Sequence, residues 1–462
     1  MRNCDLFLHE SDYPELDASA AVAHLSRAIQ FETTSYVDTT RIRYEEFDAL
    51  HDWLRQTYAD VLAAGSCEEI GHSLLITLPG SDATLRPALL MAHQDVVPVV
   101  PGTQERWLHA PFSGDVADGM IWGRGAMDIK QMLVGILEAA HTLLGRGERL
   151  KRTLYLAFGE DEETRSTGAR AIAQTLKARG VQLEFVLDEG AGDVMDAGDY
   201  GAPDALVCPI GIYEKGYADM RLTARSRGGH SSNPFRGTSL GALAKAISQI
   251  TEHMPPPRLS DAVRQSLVEL RPFITEEPMR AWTLDIDAHE AELLDWFSAH
   301  ESLYHLVRTT AAPTMIRGGS QAGNVMPQDM EAVINFRLCP WDTPESLLAH
   351  CKALVGDGVE LSYVQKISAS TPSRTDRLGY ERLKATLERY FDRLRFIPMQ
   401  NRGATDARNY ESICDCVLRF GPFLEEEDIS QEGIHGTNER ISVRAYLQGI
   451  RVLIHLIETT CL

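Results

Sequence analysis

Apolar and polar positions follow two periodicities along the chain. Residues 15–62 carry apolar positions at helical spacing, Leu25, Ala28 and Ile29 and then Phe47, Leu50 and Leu54, and read mainly as helix. After Gly71 the pattern changes. His72 to Leu78 and Pro87 to Val97 are short apolar runs bounded by Pro and Gly, which predicts strands, the second largely buried. From Asp128 onward, Ile129, Met132, Leu133, Ile136, Leu137, Ala140, Leu143 and Leu144 fall on one helical face that Gly145 and Gly147 end. Thr153 to Phe158 reads as a strand, Ala169 to Arg179 as a helix and Leu183 to Leu187 as another strand. Strands alternating with helices predict an α/β sheet with helices on both faces.

The character shifts near Tyr213. Gly216 to Arg227 alternates as a half-exposed strand does, a helix follows at about Ser239 to Thr251, and Pro255, Pro256 and Pro257 stop it. Residues 258–305 read as an irregular helical insertion. Strands return at Thr309 to Met315 and Met330 to Leu338, then a helix near Pro344 to Leu354 and a strand near Val359 to Val364. That order is a split β-α-β unit able to fold alone, an α+β domain of ferredoxin-like type. From about Thr371 helix and strand alternate again. The expected division is therefore 1–213 with 371–462, and an inserted domain over 214–370.

At 462 residues the chain exceeds one ordinary core, which agrees with two domains. The composition, 44% hydrophobic and 24% charged, is globular. A formal charge of -21 disfavours nucleic acid and anionic membrane surfaces, which need clustered Lys and Arg. No apolar run has the length of a signal peptide core or a membrane span, and the cysteines show no paired zinc-finger spacing. The expectation is a cytoplasmic enzyme with reduced thiols, Cys414-Asp-Cys416 being packing rather than a metal site.

One stretch departs from any structural need. Tyr155 to Gly159 runs as a strand directly into Glu160-Asp-Glu-Glu163, and unpaired carboxylates at the mouth of a sheet are costly unless cations or water compensate them. Comparable places hold more such groups. Ala88-Leu-Leu-Met-Ala-His-Gln-Asp95 ends a buried strand with His93 and Asp95 two apart, Asp188-Glu189-Gly190 ends the strand at 183–187, and Asp128 starts a helix. Each has an ordinary reading, a satisfied core histidine, a turn residue or a helix cap. Together, at the carboxyl ends of strands where open α/β sheets bind ligands, His93, Asp128, Glu162 or Glu163 and Asp188 point to divalent cations, with His435 in a glycine-flanked loop as the second histidine. Two divalent ions bring four positive charges against three carboxylates and one hydroxide, a neutral sum that suits a hydrolytic two-metal site. The remaining acidic residue of the Glu162-Glu163 pair is then a proton shuttle.

The chain resembles the M20 metallopeptidases, which include carboxypeptidases, dipeptidases and aminoacylases. The resemblance covers nearly the whole chain and rests on His93-Gln-Asp-Val-Val-Pro98, Gly123-Arg-Gly-Ala-Met-Asp-Ile-Lys130, Asp161-Glu-Glu163, Leu187-Asp-Glu-Gly190, Glu214-Lys-Gly-Tyr217, Gly228-Gly-His-Ser-Ser232, Asn324-Val-Met-Pro327 and His435-Gly-Thr-Asn-Glu439. It is strongest toward the branch of Gly-X carboxypeptidase and N-fatty-acyl-amino-acid synthase/hydrolase. The resemblance implies a zinc-peptidase-like catalytic domain with a mixed sheet flanked by helices and an inserted lid and dimerisation domain. It implies two Zn²⁺, with Co²⁺ or Mn²⁺ as substitutes, one on His93 and Asp188, the other on Glu163 and His435, with Asp128 bridging. The spacing usual in that family favours Asp188, with Glu189 as the alternative. Asp95 would orient His93 and Glu162 would be the general base. His230 would reach a partner subunit's active site in a homodimer, and Asn324, Arg337 and the backbone at Gly403 would receive a substrate carboxylate. The implied substrate is a peptide or an N-acyl amino acid. Thr164-Arg165 and Ala404 depart from residues common in the family, which bears on substrate shape more than on metal binding.

Overall fold

The computed structural model describes residues 6–190, 192–234, 237–401, 403–426 and 433–462. Cys4 and Arg402, the first a member of the cysteine set, lie outside them. The chain forms two compact units. One contains Met1–Asp196, Ala205–Ile212 and Ser373–Leu462, the other Ala197–Asp204 and Tyr213–Pro372.

The first unit is built on a mixed sheet. Its strands run in the order Ser66–Ile70, Ser73–Leu78, Leu154–Gly159, Ala88–His93, Phe185–Asp188, Val417–Arg419, Leu206–Glu214 and Leu394–Asn401. Ala88–His93 pairs in parallel with both Leu154–Gly159 and Phe185–Asp188, and Val417–Arg419 is parallel to Phe185–Asp188. Ser73–Leu78 instead runs antiparallel to Leu154–Gly159. Every residue of the three central parallel strands is buried, as strands covered by helices on both faces must be. Because these strands are parallel, their carboxyl ends share one edge, and the segments leaving them converge there.

Helix Lys130–Gly145 packs on this sheet and is buried over almost its whole circumference, not along one face only. Lys130, Gln131, Glu138 and Thr142 are buried with its apolar residues. Its two buried charged residues have partners: the Lys130 Nζ donates to the carbonyls of Ala28 (2.9 Å) and Phe31 (2.5 Å), and Glu138 accepts from the Tyr58 hydroxyl at 2.5 Å. Helix Val443–Cys461 is held at its start by Ser442, whose Oγ accepts from the Ala445 N–H. Two strands of the sheet order given above lie outside the expected set. Ser66–Ile70 is an edge strand with little apolar content, and Leu206–Glu214 contains Pro209, which argues against a strand in sequence.

The second unit has the order strand Gly216–Arg225, helix Ser239–Glu252, strands Thr310–Gly318 and Asp329–Leu338, helix Pro344–Val355 and strand Glu360–Ile367. The sheet places Thr310–Gly318 beside Asp329–Leu338, then Gly216–Arg225, then Glu360–Ile367. This is the split β-α-β arrangement, antiparallel throughout. Alternation explains its core: Ala218, Met220, Leu222 and Ala224 of one strand and Ala332, Ile334, Phe336 and Leu338 of its neighbour face the two helices, where Leu243, Ala246, Ile250 and Leu347 meet them. The stretch between Ser260 and Tyr304 is helical, with Asp261–Leu270 and Glu290–Ala299 its longest pieces.

Candidate metal centre and active site

His93 is the last residue of its strand, and its ring is fixed from behind. Its Nδ1 donates to the Asp95 backbone carbonyl at 2.8 Å, which leaves Nε2 pointing forward as the lone-pair nitrogen. The Asp95 side chain does a second job: its two oxygens accept the backbone N–H groups of Glu162 (3.1 Å) and Glu163 (3.2 Å). One residue thus ties the strand end carrying His93 to the acidic segment of the neighbouring strand. The other two acids of that segment face structure. Asp161 accepts from the Gly168 N–H at 2.9 Å and the Thr167 hydroxyl at 2.5 Å where the next helix starts, and Glu160 accepts from Ser73 Oγ at 2.8 Å.

Two clusters of three ligand-type side chains share Asp128. His93, Asp128 and Glu189 form one, Asp128, Glu163 and His435 the other, and in each the ligand atoms lie within 4.8 Å of one another. His93 Nε2 is 3.1 Å from Asp128 Oδ1 and 3.4 Å from Glu189 Oε1. His435 Nε2 is 2.9 Å from Asp128 Oδ2 and 3.1 Å from Glu163 Oε2. Ligand atoms on a tetrahedron with bonds of about 2.0–2.1 Å are roughly 3.3 Å apart, so both clusters have the spacing of a zinc-type donor set. Glu163 Oε1 is a buried oxygen with no hydrogen-bond partner, as a ligand atom awaiting a cation would be. Imidazole and carboxylate donors suit Zn²⁺, Co²⁺ and Mn²⁺ alike.

Asp188, expected to ligate, is not in either cluster. It is the last strand residue, and its carboxylate is turned back into the fold, accepting from the Glu189 N–H at 2.8 Å and the Ala407 N–H at 2.8 Å. Successive side chains at a strand end point to opposite sides, so the same geometry that buries Asp188 delivers Glu189 to His93.

The charges of the site are mutually unfavourable without cations. Burial pushes the Glu189 carboxyl up to about 7 and that of Asp188 to about 6. Burial and the neighbouring charge of Glu189 push the Glu162 carboxyl well above the usual range. Hydrogen bonds donated by its ring to the carboxylates of Asp128 and Glu163 raise His435 to about 10. A cavity of about 440 Å³ opens over these groups, lined by Asp128, Glu162, Glu163, Glu189 and His435, with Pro209, Met399, Ala404 and Ile434 forming apolar wall. Gly403 lies in the same wall and has open space where a Cβ would stand; its carbonyl accepts from Asn401 Nδ2 at 3.1 Å. Glu162 lines the cavity but belongs to neither cluster.

The other expected residues are in the second unit. His230 is exposed in a short strand paired opposite Val325, and its Nδ1 is 2.8 Å from Ser232 Oγ. The Asn324 carbonyl accepts the Ser231 N–H at 2.9 Å. The Arg337 guanidinium lies 4.9 Å from the Tyr217 ring centre. Glu439 and Arg124, which have no role in the expected set although both lie within the motifs quoted above, stand directly behind Asp128.

Residues 89–459 match the model of the peptidase family M20/M25/M40. Among curated relatives, the probable carboxypeptidase S-like 2 of Dictyostelium discoideum is 32% identical, over 98% of this chain and 87% of that protein. The N-fatty-acyl-amino acid synthase/hydrolase PM20D1 of Homo sapiens is 36% identical, over 85% of this chain and 77% of its own. Of solved structures, the M20 family metallo-carboxypeptidase Sso-CP2 from Sulfolobus solfataricus shares the fold with a TM-score of 0.65 at 18% identity, over 95% of this chain and 99% of that one. With the fold, the ordered motifs and a family match over most of its length in agreement, the chain belongs to peptidase family M20/M25/M40 and is a hydrolase of the metallopeptidase type.

Proposed function

We propose that this hydrolase holds two divalent cations, Zn²⁺ foremost, and cleaves an amide bond next to a free carboxylate, releasing an amino acid. The observation that carries the reading is that one carboxylate, Asp128, joins two ligand clusters while Glu162 stands beside them with no ligand role. In this proposal His93 and Glu189 hold one ion, Glu163 and His435 the other, and Asp128 both, so that Glu189 takes the place expected for Asp188. Bound divalent ions supply Lewis acidity toward a water and a carbonyl. Glu162 takes the proton of the attacking water and returns it to the leaving nitrogen, a double task for which its raised affinity for protons suits it. His230 of a partner subunit donates to the developing oxyanion. Asn324, Arg337 and the backbone at Gly403 receive the substrate carboxylate, Arg337 by a paired, charge-assisted contact.

A homodimer formed through the second unit is part of the proposal. Its support is the edge strand Thr310–Gly318, which leaves Met315 and Ile316 exposed, as the opposite edge strand Glu360–Ile367 leaves Val364 and Ile367. Mixing Glu162→Ala with His230→Ala protein is expected to restore up to about a quarter of the wild-type sites, since each mixed dimer regains one intact site. Activity no greater than that of the separate variants, after subunit exchange is verified, overturns action across the dimer.

The chain's location is proposed to be cytoplasmic. In support, no disulfide joins the described cysteines, and among the described residues no helix is long and apolar enough to cross a membrane.

Two substrate classes fit a carboxylate-anchored amide, peptides and N-acyl amino acids. The apolar wall of Pro209, Met399, Ala404 and Ile434 favours the second as a further reading, and a relative bears the name N-fatty-acyl-amino acid synthase/hydrolase. A panel of unblocked dipeptides against N-acyl amino acids of rising chain length separates them by kcat/KM. The proposal predicts turnover of at least one class and none of the same compounds amidated at the carboxylate. Equal turnover of the amidated compounds sinks the carboxylate requirement.

A further inference from the structure

Glu439 is fully buried and so is Arg124, at 0% and 1% exposure, in a part of the fold where added negative charge is costly. The contacts explain why a carboxylate is there. A single oxygen, Glu439 Oε1, accepts three backbone N–H groups, those of Gly125 (3.0 Å), Met127 (2.9 Å) and Asp128 (3.1 Å). Its other oxygen, Oε2, accepts from Arg124 Nη1 at 2.6 Å, and its backbone carbonyl accepts the Gly123 N–H at 2.9 Å. The same guanidinium reaches, through Nη2, the carbonyl of Gly436 at 2.7 Å, one residue beyond His435.

These contacts join two loops, Gly123 to Asp128 and His435 to Glu439, that bring ligand-type side chains to the same place. Both loops are anchored by one short pairing, Arg440 opposite Trp122 in the strands Arg440–Ser442 and Met120–Trp122. His93 and Glu189 need no such help, because they stand at or directly after the ends of sheet strands. Asp128 and His435 have only the loops, yet their side chains meet at 2.9 Å.

We infer that Glu439, with Arg124, is a positioning residue that sets the distance between Asp128 and His435 and thereby the affinity for the second metal ion. The inference rests on the two-metal reading above. A glutamine at 439 keeps the size and one acceptor oxygen, but its amide cannot serve both the three N–H groups and the guanidinium. An apolar residue would leave all of them buried and unpaired.

The test is titration of metal-free wild type and Glu439→Gln protein with Co²⁺ alone, followed by the visible absorption of the bound ion and, separately, by the melting temperature of the metal-free protein. The wild type is expected to take up two equivalents. The variant is expected to bind the second about 10–100-fold more weakly, with a changed visible spectrum. A purely structural role lowers the melting temperature of the metal-free protein and leaves affinity and spectrum as in the wild type; that result overturns the inference. Uptake of fewer than two equivalents by the wild type overturns the two-metal reading, and this inference with it. Where E439Q gives no folded protein, R124K takes its place, since it leaves the backbone contacts of Glu439 intact and loses the reach to Gly436. Weaker second-ion binding by R124K then supports the inference, and wild-type affinity and spectrum overturn it.

Discussion

Glu162→Gln is expected to lower kcat by about 10²–10⁴-fold with both metal equivalents retained. The substitution is nearly isosteric and removes only the capacity to take up a proton, so a large loss isolates proton transfer from binding. Metal retention is expected because Glu162 is in neither ligand cluster. The backbone geometry is also expected to survive, because Asp95 holds the Glu162 segment by main-chain N–H groups, not by side chains. Steady-state kinetics on the best substrate of the panel, with metal content measured on the same sample, decides the matter. Activity within tenfold of wild type removes Glu162 from the role of base, and loss of an equivalent of metal moves it into the ligand set.

The parts of this arrangement that were visible in sequence are those set by local pattern. The central strands announce themselves as unbroken apolar runs, and a strand that runs straight into four acids marks its own carboxyl end. His93 and Glu163 stand out because histidines and carboxylates at such ends have few structural uses, Asp128 at a helix start and His435 in a glycine-flanked loop complete the set, and the structure brings the four together. What could not be read depends on direction and on distant partners. Whether Asp188 or Glu189 faces the cavity turns on which side of the sheet the last strand residue points to, and that is fixed by Ala407, 219 positions away. The helix beginning at Lys130 looks amphipathic, but tertiary packing covers its polar face too. Asp95 shows the same limit at finer scale: its place two residues after His93 suggests a residue aligning the imidazole, and its carbonyl (2.8 Å) and carboxylate (3.5 Å) both face Nδ1, but that the carboxylate also holds the acidic segment is not visible in sequence.

Because Asp188 and Glu189 are neighbours with opposite surroundings, substituting each should separate a structural effect from a metal effect within one dipeptide. Glu189→Ala removes a carboxylate 3.4 Å from His93 Nε2, which keeps Asp128 Oδ1 at 3.1 Å. It is expected to cost one metal equivalent, or at least about 10–100-fold in its affinity, with activity falling at least as far. The metal-free protein should be no less stable than wild type, since Glu189 is a carboxyl that burial already pushes up to about 7. Asp188→Asn should do the reverse. Its carboxylate accepts from two backbone N–H groups, and an amide must turn its NH₂ toward one of them, at a cost of about 1–3 kcal/mol in stability. Metal content should stay at two equivalents. Chemical denaturation of the metal-free proteins and metal analysis of the loaded ones read the two effects independently. If Asp188→Asn loses metal while Glu189→Ala keeps it, the ligand is Asp188, and the strand end must turn over when the cation binds.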